Sequence, residues 1–449
     1  MSDRKKMAIR MRVIAETRHP QDQMGYDDQE HRYKSDYVQP ENWKLQMCAQ
    51  LPPGCLECEW RIMADESSFS ETFEQDGEFE TMGELTAVVP APGPYTIRLL
   101  ARTNDGDSYQ TEEHFHFHDY LVVALGDSYF CGEGNPDVPG KPAAIAGKIA
   151  CNLATFTKFL EKKLGAEVPT EEDPVWQEKL VHRSYKSGAS LAVRQLENGE
   201  KGQVITFLNF ARTGAAIDDG FLVPRAEDDW TTLGQIEEAQ QTIGSRPINA
   251  LLISVGGNDI QFSDRIIDLL RDDLPIVGDG GLLGDDALNR EKEYAEAMLQ
   301  LQRLPAKLDR LAEKIAELSP EQVFIAPYPV AQFDIVTDEG EVTTSSGCGI
   351  FDGPDMDIDE KDAQLMKKTG HMLNDTLRQA AERHGWHVVE GIVEGFAGHG
   401  RCSDDSYFCS AQESCEIQGD FRGTLHPNEK GIQVYARCIA AALKEHMLD

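Results

Sequence analysis

Positive charge and long hydrophobic runs are both scarce in this chain of 449 residues. Lysine and arginine number 43 against 78 aspartates and glutamates, which gives a net charge of −35. A surface this acidic repels phosphate backbones, so nucleic-acid binding is disfavoured. Charge alone would not hold the chain on an anionic membrane either.

The apolar stretches are too short to cross a bilayer. Residues 120–125 and 251–255 are the clearest of them, whereas a spanning helix needs about 18 consecutive apolar residues. Arg10 and Arg12 interrupt the region after the basic N-terminus, so it does not resemble a standard secretory signal. We therefore expect no transmembrane segment.

Cysteine, by contrast, is plentiful, with ten residues that cluster early and late in the chain. An even number in clusters is typical of disulfides formed in an oxidising compartment. The pair Cys55-x-x-Cys58 is also compatible with half of a zinc site, but no second such pair follows. Together with the domain type described next, the cysteines favour an extracellular over a cytoplasmic location.

Residues 1–118 show the pattern of an all-β domain. Apolar and polar residues alternate over 58–63 and 95–102, and turns rich in proline, glycine, asparagine and aspartate separate such stretches. This pattern predicts a β-sandwich. The stretch PGPYTIRLLARTNDGDS resembles the later strands of a PKD or immunoglobulin-like module.

Three histidines in this region, His114, His116 and His118, alternate along one predicted strand. Side chains two residues apart share one face of a strand. An exposed face is the simpler interpretation, and a metal-binding row is the alternative.

Residues 119–449 show a different pattern, in which apolar runs alternate with helical stretches. The predicted strands are 120–125, 203–208, 249–255, 322–326 and 386–390. The predicted helices lie near 143–164, 291–318 with an interruption at Pro305, 359–384 and 430–447. Continuous apolar strands between helices predict a parallel five-stranded sheet covered on both faces. Ligands of such sheets bind at the carboxyl ends of the strands.

A candidate nucleophile and a candidate base stand at such positions. Gly126-Asp127-Ser128 directly follows the first strand, where a turn would expose the serine hydroxyl. A serine needs a base to remove its proton before it becomes a good nucleophile. His426, just before the last helix, has the pKa suited to that task.

Two further motifs supply candidate donors for an oxyanion. Asn258, in the Gly-Gly-Asn-Asp block after the third strand, offers a neutral N–H group. Losing one such donor typically costs about 2.7–4 kcal/mol of transition-state stabilisation. The N–H of Gly214, after the second strand, is the other candidate. Both motifs are also compatible with ordinary turns.

In this order the four blocks resemble the SGNH hydrolases, also called the GDSL lipase and esterase family. The resemblance runs from residue 119 to the C-terminus and implies a flavodoxin-like α/β/α fold. It also implies that Ser128 is the nucleophile and His426 the base. The oxyanion hole would comprise the Ser128 N–H, the Gly214 N–H and the Asn258 side chain. No metal or organic cofactor is implied.

The chain departs from the family at Gly423. The usual block, Asp-x-x-His-Pro, would place at this position the acid that orients the histidine. A main-chain carbonyl, such as that of Gly423, is one substitute. Asp420, or less readily Asp404 or Asp405, is a second possibility. The third is an impaired enzyme.

Three nearby features receive other interpretations. Asp127, beside the nucleophile, suits a structural hydrogen-bonding role rather than that of the acid. Cys131 has no base placed for it, so we expect a disulfide or a buried thiol. The segment 264–290 mixes apolar residues with glycine and aspartate, and is either a mobile flap over an acyl pocket or a plain surface insertion.

The sequence thus predicts a serine ester hydrolase that acts on a small-molecule ester. Lipid or short-chain acyl esters are the first expectation and O-acetylated carbohydrates the second. The acidic surface favours neutral or soluble esters over anionic phospholipids. A binding or adhesion protein with an impaired site is the alternative, since Gly423 replaces the acid.

Overall fold

The computed structural model describes residues 9–65, 67–77, 79, 82–145, 148–149, 151, 168–227, 230–262, 286–345, 348–349, 357–358 and 360–448. The chain divides into two compact units. The first contains residues 9–27, 33–121 and 195–207, and the second contains 28–32, 122–194 and 208–448.

The first unit is built from antiparallel strands. One sheet has three strands, in the order Met11–Ala15, Trp43–Gln50 and Met82–Val89. Other strands pair in the order Ser70–Asp76, Cys55–Ala64, Gly93–Thr103 and Ser108–Gly126. One core takes side chains from both sets, such as Leu45 and Trp60. The likeness of this unit to a PKD or immunoglobulin-like module stays a prediction.

All five strands predicted after residue 119 are present. Their order in the sheet is Gln203–Asn209, Ser108–Gly126, Ala250–Ser254, Gln322–Ile325 and His387–Val388. The last four of them pair in parallel. The apolar residues at 122–125, 250–253 and 324–325 are almost completely buried, as expected where a sheet is covered on both faces.

The expectation of a purely parallel sheet is wrong, because the sheet is mixed. Ser108–Gly126 is one strand of 19 residues. It pairs antiparallel with Gly93–Thr103 and, through its last five residues, parallel with Ala250–Ser254. The sequence pattern had suggested a break near residue 118, but no glycine or proline interrupts the strand there.

The described residues also form helices. They are Ser35–Val38, Ser128–Cys131, Gly188–Leu196, Gln235–Ile243, Asp286–Glu317, Glu360–His384, Ile392–Phe396, Ala411–Gln418 and Glu429–Leu443. A π-helical turn, Lys444–Leu448, ends the described chain. Short 3₁₀ turns lie at Lys179–Val181 and Gly199–Lys201. Short strands lie at Tyr26–Asp27, Arg32–Tyr33, Lys141–Pro142, Ala144–Ile145, Lys148–Ile149, Thr170–Glu172, Arg225–Glu227, Trp230–Thr232, Asp334–Val336, Val342–Thr344, Cys348–Gly349 and Asp357–Ile358.

Two predicted helices differ from the structure. Asp286–Glu317 continues through Pro305 without the predicted interruption. A proline inside a helix costs about 3 kcal/mol, and burial of Leu304 and Leu308 beside it offsets that cost. In the segment 143–164, Ala144–Ile145 and Lys148–Ile149 form a small strand pair instead of a helix, and most of the remainder lies outside the described residues.

The expected disulfides are present in part. Cys151 is bonded to Cys415, and Cys402 is also disulfide-bonded. Free thiols remain at Cys48, Cys55, Cys58, Cys131, Cys409 and Cys438. In the part of the chain that is described, no helix is both long and apolar enough to cross a membrane.

Candidate active site

The turn that carries Ser128 is fixed by its neighbours. The strand Ser108–Gly126 ends at this point, and Ser128 begins a short helix for which Asp127 is the N-cap. The Asp127 carboxylate accepts a hydrogen bond from the N–H of Tyr129 at 3.1 Å. A Cβ at Gly126 would lie 2.5 Å from the Cβ of Phe130, so only glycine lets the chain turn this closely.

His426 faces this turn. Its Nε2 lies 2.7 Å from the Oγ of Ser128, although the two residues are 298 positions apart in sequence. Burial lowers the pKa of His426, while the charge of Glu133 and the carbonyls of Thr424 and Arg422 oppose that shift. The imidazole is therefore neutral near pH 7 and can accept a proton.

The other ring nitrogen meets a main-chain carbonyl. His426 Nδ1 lies 3.3 Å from the carbonyl oxygen of Thr424. The carbonyl of Gly423, which the sequence suggested for this role, instead accepts the main-chain N–H of His426 at 3.0 Å. The difference arises because Leu425 adopts a left-handed conformation, with φ of 59°, directly before the histidine.

The candidate acids face other groups. The Asp420 carboxylate accepts hydrogen bonds from Gln418 Nε2 at 2.5 Å and from the N–H of Arg422 at 2.9 Å. Asp405 forms a surface ion pair with Lys430 at 2.5 Å, and Asp404 is exposed. In the described structure, His426 Nδ1 thus donates its hydrogen bond to a carbonyl rather than to these carboxylates.

Asn258 and Ser128 both line one cavity. Gly214 is not among the described residues that line it. Asn258 Nδ2 donates to the carbonyl of Ala215 at 2.9 Å, and Asp259 accepts the N–H of Ile217 at 3.0 Å. These bonds connect the Gly-Gly-Asn-Asp loop to the loop that carries Gly214. Gly214 has a φ of 74°, which favours glycine.

Asp127 links the nucleophile turn to the same loop. The hydroxyl of Tyr328 donates to Asp127 and accepts the N–H of Gly257 at 3.1 Å. Ser254 Oγ donates to Asp127 at 3.2 Å. Burial raises the pKa of Asp127 to about 7, although its hydrogen bonds act in the opposite direction. This is the structural role expected for Asp127.

The cavity itself is mainly apolar. It lies beside Ser128 and is partly open to solvent. Tyr129, Phe262, Tyr328 and Leu373 contribute to its walls. Most of the predicted flap, 264–290, lies outside the described residues, and its end belongs to the helix Asp286–Glu317.

Cys131 is buried and free, which matches the expectation of a buried thiol. Its Sγ lies 3.3 Å from Thr213 Oγ1, and burial raises its pKa well above the usual range. A thiol that stays protonated is a poor nucleophile. The hydroxyl of Ser128, paired with His426, is better placed.

A second polar cluster near the site was not anticipated from the sequence. Glu133, His182 and Asp420 place one ligand atom each within 4.8 Å of one another, a spacing that could hold a cation. His182 Nδ1 lies 2.8 Å from Glu133 Oε1, and Nε2 lies 3.6 Å from Asp420 Oδ2. Of its three members, the sequence had singled out only Asp420, as a possible acid. The three N-terminal histidines are not part of this cluster.

An α/β fold with a serine and a histidine paired at the carboxyl end of a sheet defines a class of serine hydrolases. Consistent with it, the pattern of the GDSL-like lipase/acylhydrolase family matches residues 122–439. The chain belongs to this family. Family membership indicates that it is an ester hydrolase.

Solved structures of low similarity were also found. An extracellular lipase from Streptomyces rimosus has 20% identity and a TM-score of 0.45 over 72% of this chain and 99% of its own. A family two carbohydrate esterase from Clostridium thermocellum has 11% identity and a TM-score of 0.29 over 96% and 98%. Such values carry no argument about substrate. A comparison with curated proteins gave no match.

Proposed function

We propose that this protein is a serine ester hydrolase that works through an acyl-enzyme on Ser128. The observation that carries the proposal is the 2.7 Å contact between Ser128 Oγ and His426 Nε2. His426 takes the serine proton as Oγ attacks the ester carbonyl, and then gives that proton to the leaving alcohol. It next takes a proton from water, which attacks the acyl-enzyme, releases the carboxylic acid and restores Ser128.

The Thr424 carbonyl takes the place of an acid in this proposal. The carbonyl oxygen accepts a hydrogen bond from the N–H at Nδ1, which leaves Nε2 unprotonated and free to act as the base. Such an arrangement supports an active enzyme rather than an impaired one.

For the oxyanion we propose the Ser128 N–H, the Gly214 N–H and the Asn258 side chain. Support comes from the position of Asn258 on the cavity wall beside Ser128. The hydrogen bond from Asn258 to the carbonyl of Ala215 ties this side chain to the residue next to Gly214. Donors held in this way need little rearrangement when charge develops on the substrate.

The proposed substrates are neutral esters with short acyl groups. The small, partly open cavity beside Ser128 has aromatic and aliphatic walls, which suit a short apolar acyl group. An acetyl group is the smallest such chain, so O-acetylated carbohydrate is the second candidate. The net charge of −35 disfavours anionic phospholipid surfaces.

We also propose that residues 1–118 are a PKD or immunoglobulin-like domain and that residues 119–449 carry the activity. Support comes from the antiparallel strands and shared core of the first unit. An extracellular location is proposed as well, and the disulfide between Cys151 and Cys415 is consistent with it.

The test is hydrolysis of p-nitrophenyl esters of increasing acyl length by Ser128→Ala. We expect the rate to fall by at least about 10⁴-fold, because the change removes the proposed nucleophile. A fluorophosphonate probe should label Ser128 in the unaltered protein. Ser70→Ala, at an exposed position in the first unit, is the matched control and should keep full activity. Full activity in Ser128→Ala, or labelling elsewhere, would disprove the proposal.

A further inference from the structure

The position usually held by the acid is closed to any side chain. A Cβ on Gly423 would lie 2.9 Å from Gly134 Cα and 2.9 Å from Ser414 Oγ. Contacts below 3.0 Å require the neighbours to move, and one of these atoms belongs to the backbone. A negative charge that acts on His426 must therefore come from another part of the fold.

A buried carboxylate stands near this position. Glu133 is 1% exposed and follows the helix that starts at Ser128, with its N–H bonded to the Ser128 carbonyl at 3.2 Å. Its Oε1 accepts from His182 and from Gln418 Nε2 at 2.7 Å, and its Oε2 accepts from Thr213. These bonds fix the carboxylate and favour its charged form.

The neighbours of Glu133 also hold charge. His182 lies between Glu133 and Asp420, and its ring stacks on Trp176 with the centroids 4.6 Å apart. Burial would lower the pKa of His182, but the two carboxylates raise it. Gln418 Nε2 donates to both carboxylates. Burial raises the pKa of Asp420, whereas the pKa of Glu133 is lowered, so Glu133 is the carboxylate of the cluster that favours its charged form.

The cluster lies beside the candidate dyad, because Gly134, the residue after Glu133, packs against Gly423 and the N–H of Glu133 bonds to the Ser128 carbonyl. Burial opposes ionisation of Glu133, but His182 and His426 lower its pKa, and Glu133 in turn acts to raise the pKa of His426. Asp420 acts on His426 in the same direction, as the weaker of the two. Tyr129 faces the ring of His426 at 5.1 Å, and burial raises its pKa so that it stays neutral.

We infer that Glu133 is a positioning residue that supplies, through space, the negative charge that an acid at position 423 would otherwise supply to His426. The inference rests on the proposed function. The division of labour is between two groups: the Thr424 carbonyl fixes the tautomer of the ring, and Glu133 stabilises the imidazolium that forms when Ser128 loses its proton.

The test measures kcat and the pH dependence of kcat/KM for p-nitrophenyl acetate in Glu133→Gln. We expect kcat to fall about tenfold and the acid limb to move to lower pH by about one unit, because one pKa unit corresponds to a tenfold change in equilibrium. The acid limb moves to lower pH because the substitution removes the negative charge of Glu133, which favours the protonated form of His426. Glu133→Asp, which keeps the charge, should restore the acid limb.

The matched control is Glu178→Gln. Glu178 is also buried and pairs with a histidine, since its Oε2 lies 2.7 Å from His31 Nδ1. This variant should lose stability without moving the acid limb. If Glu133→Gln does not fold, Asp420→Asn provides the second measurement and should move the limb in the same direction by less.

Three results would overturn the inference. One is an unchanged acid limb in folded Glu133→Gln, and another is an unchanged limb in Asp420→Asn when Glu133→Gln does not fold. The third is activity that is lost with EDTA and restored by Zn²⁺, because a cation at this cluster would cancel the charge of Glu133. Fluorophosphonate labelling of Ser128 in the same samples separates these outcomes from failure of the proposed function itself.

Discussion

Two neighbouring regions of the second unit use the same residue types in opposite states of charge. At the nucleophile turn, burial raises the pKa of Asp127 to about 7 and lowers that of His426. In the polar cluster, the pKa of Glu133 is lowered and that of His182 is raised, because each is the partner of the other. Burial alone therefore does not determine ionisation: a buried group stays neutral unless an opposite charge lies beside it.

The largest expected effect separates the two histidines. His426→Ala should reduce kcat/KM by at least about 10⁴-fold with little change in unfolding temperature, because it removes the base. His182→Ala should instead destabilise the fold by about 3–5 kcal/mol, since it leaves the Glu133 carboxylate buried without its cation. Ester hydrolysis and thermal unfolding of both variants check this, and a reversal of the two patterns would break the comparison.

The next effect concerns Asp127 and the dependence of the unfolding free energy on pH. The pKa of Asp127 is raised in the fold relative to about 3.9 in the unfolded chain. Its contribution to stability is thus complete below about pH 4 and is lost as the pH rises through about 7. Asp127→Asn should remove that dependence, so its deficit relative to the unaltered protein should be greatest in acid. Denaturant unfolding at several pH values measures this. A deficit that grows between pH 4 and 7 would contradict the assignment.

The smallest effect tests whether an acid can be restored at position 423. Gly423→Asp should lower the unfolding free energy by about 1–3 kcal/mol and should not raise activity, because the new side chain collides with Gly134. Gly423→Ala is the control, since it adds the Cβ without the charge and should lose similar stability. A more active and equally stable Gly423→Asp would show that the cluster does not replace the acid.

The sequence was most informative where chemistry follows a strand. The strands after residue 119 could be predicted because runs of buried apolar residues end at Gly126 and Gly256, where the chain must turn closely. The residues of the candidate dyad could be predicted in a similar way, since Ser128 follows such a strand and His426 precedes the helix Glu429–Leu443. The mixed sheet could not be predicted, because the long strand Ser108–Gly126 combines two sequence patterns. Its first part alternates between polar and apolar residues, and its last part is continuously apolar.

The contacts around the histidine were beyond prediction for a different reason. The use of the Thr424 carbonyl depends on a left-handed Leu425, a conformation that leucine rarely adopts and that no local pattern indicates. The polar cluster depends on Glu133 and His182, which are 49 positions apart, and on Gln418, which is 285 positions from Glu133. Only the fold brings such residues together.

The uninterrupted strand Ser108–Gly126 also limits how this protein can change during evolution. Loops absorb insertions and deletions readily, but successive side chains of a strand point to opposite faces. One residue gained or lost within this strand would invert every side chain from that point to the turn at Ser128, or else shift the pairing with its neighbours. We therefore expect homologues to keep the length between the Asn104–Asp107 turn and Ser128 constant while the loops elsewhere vary.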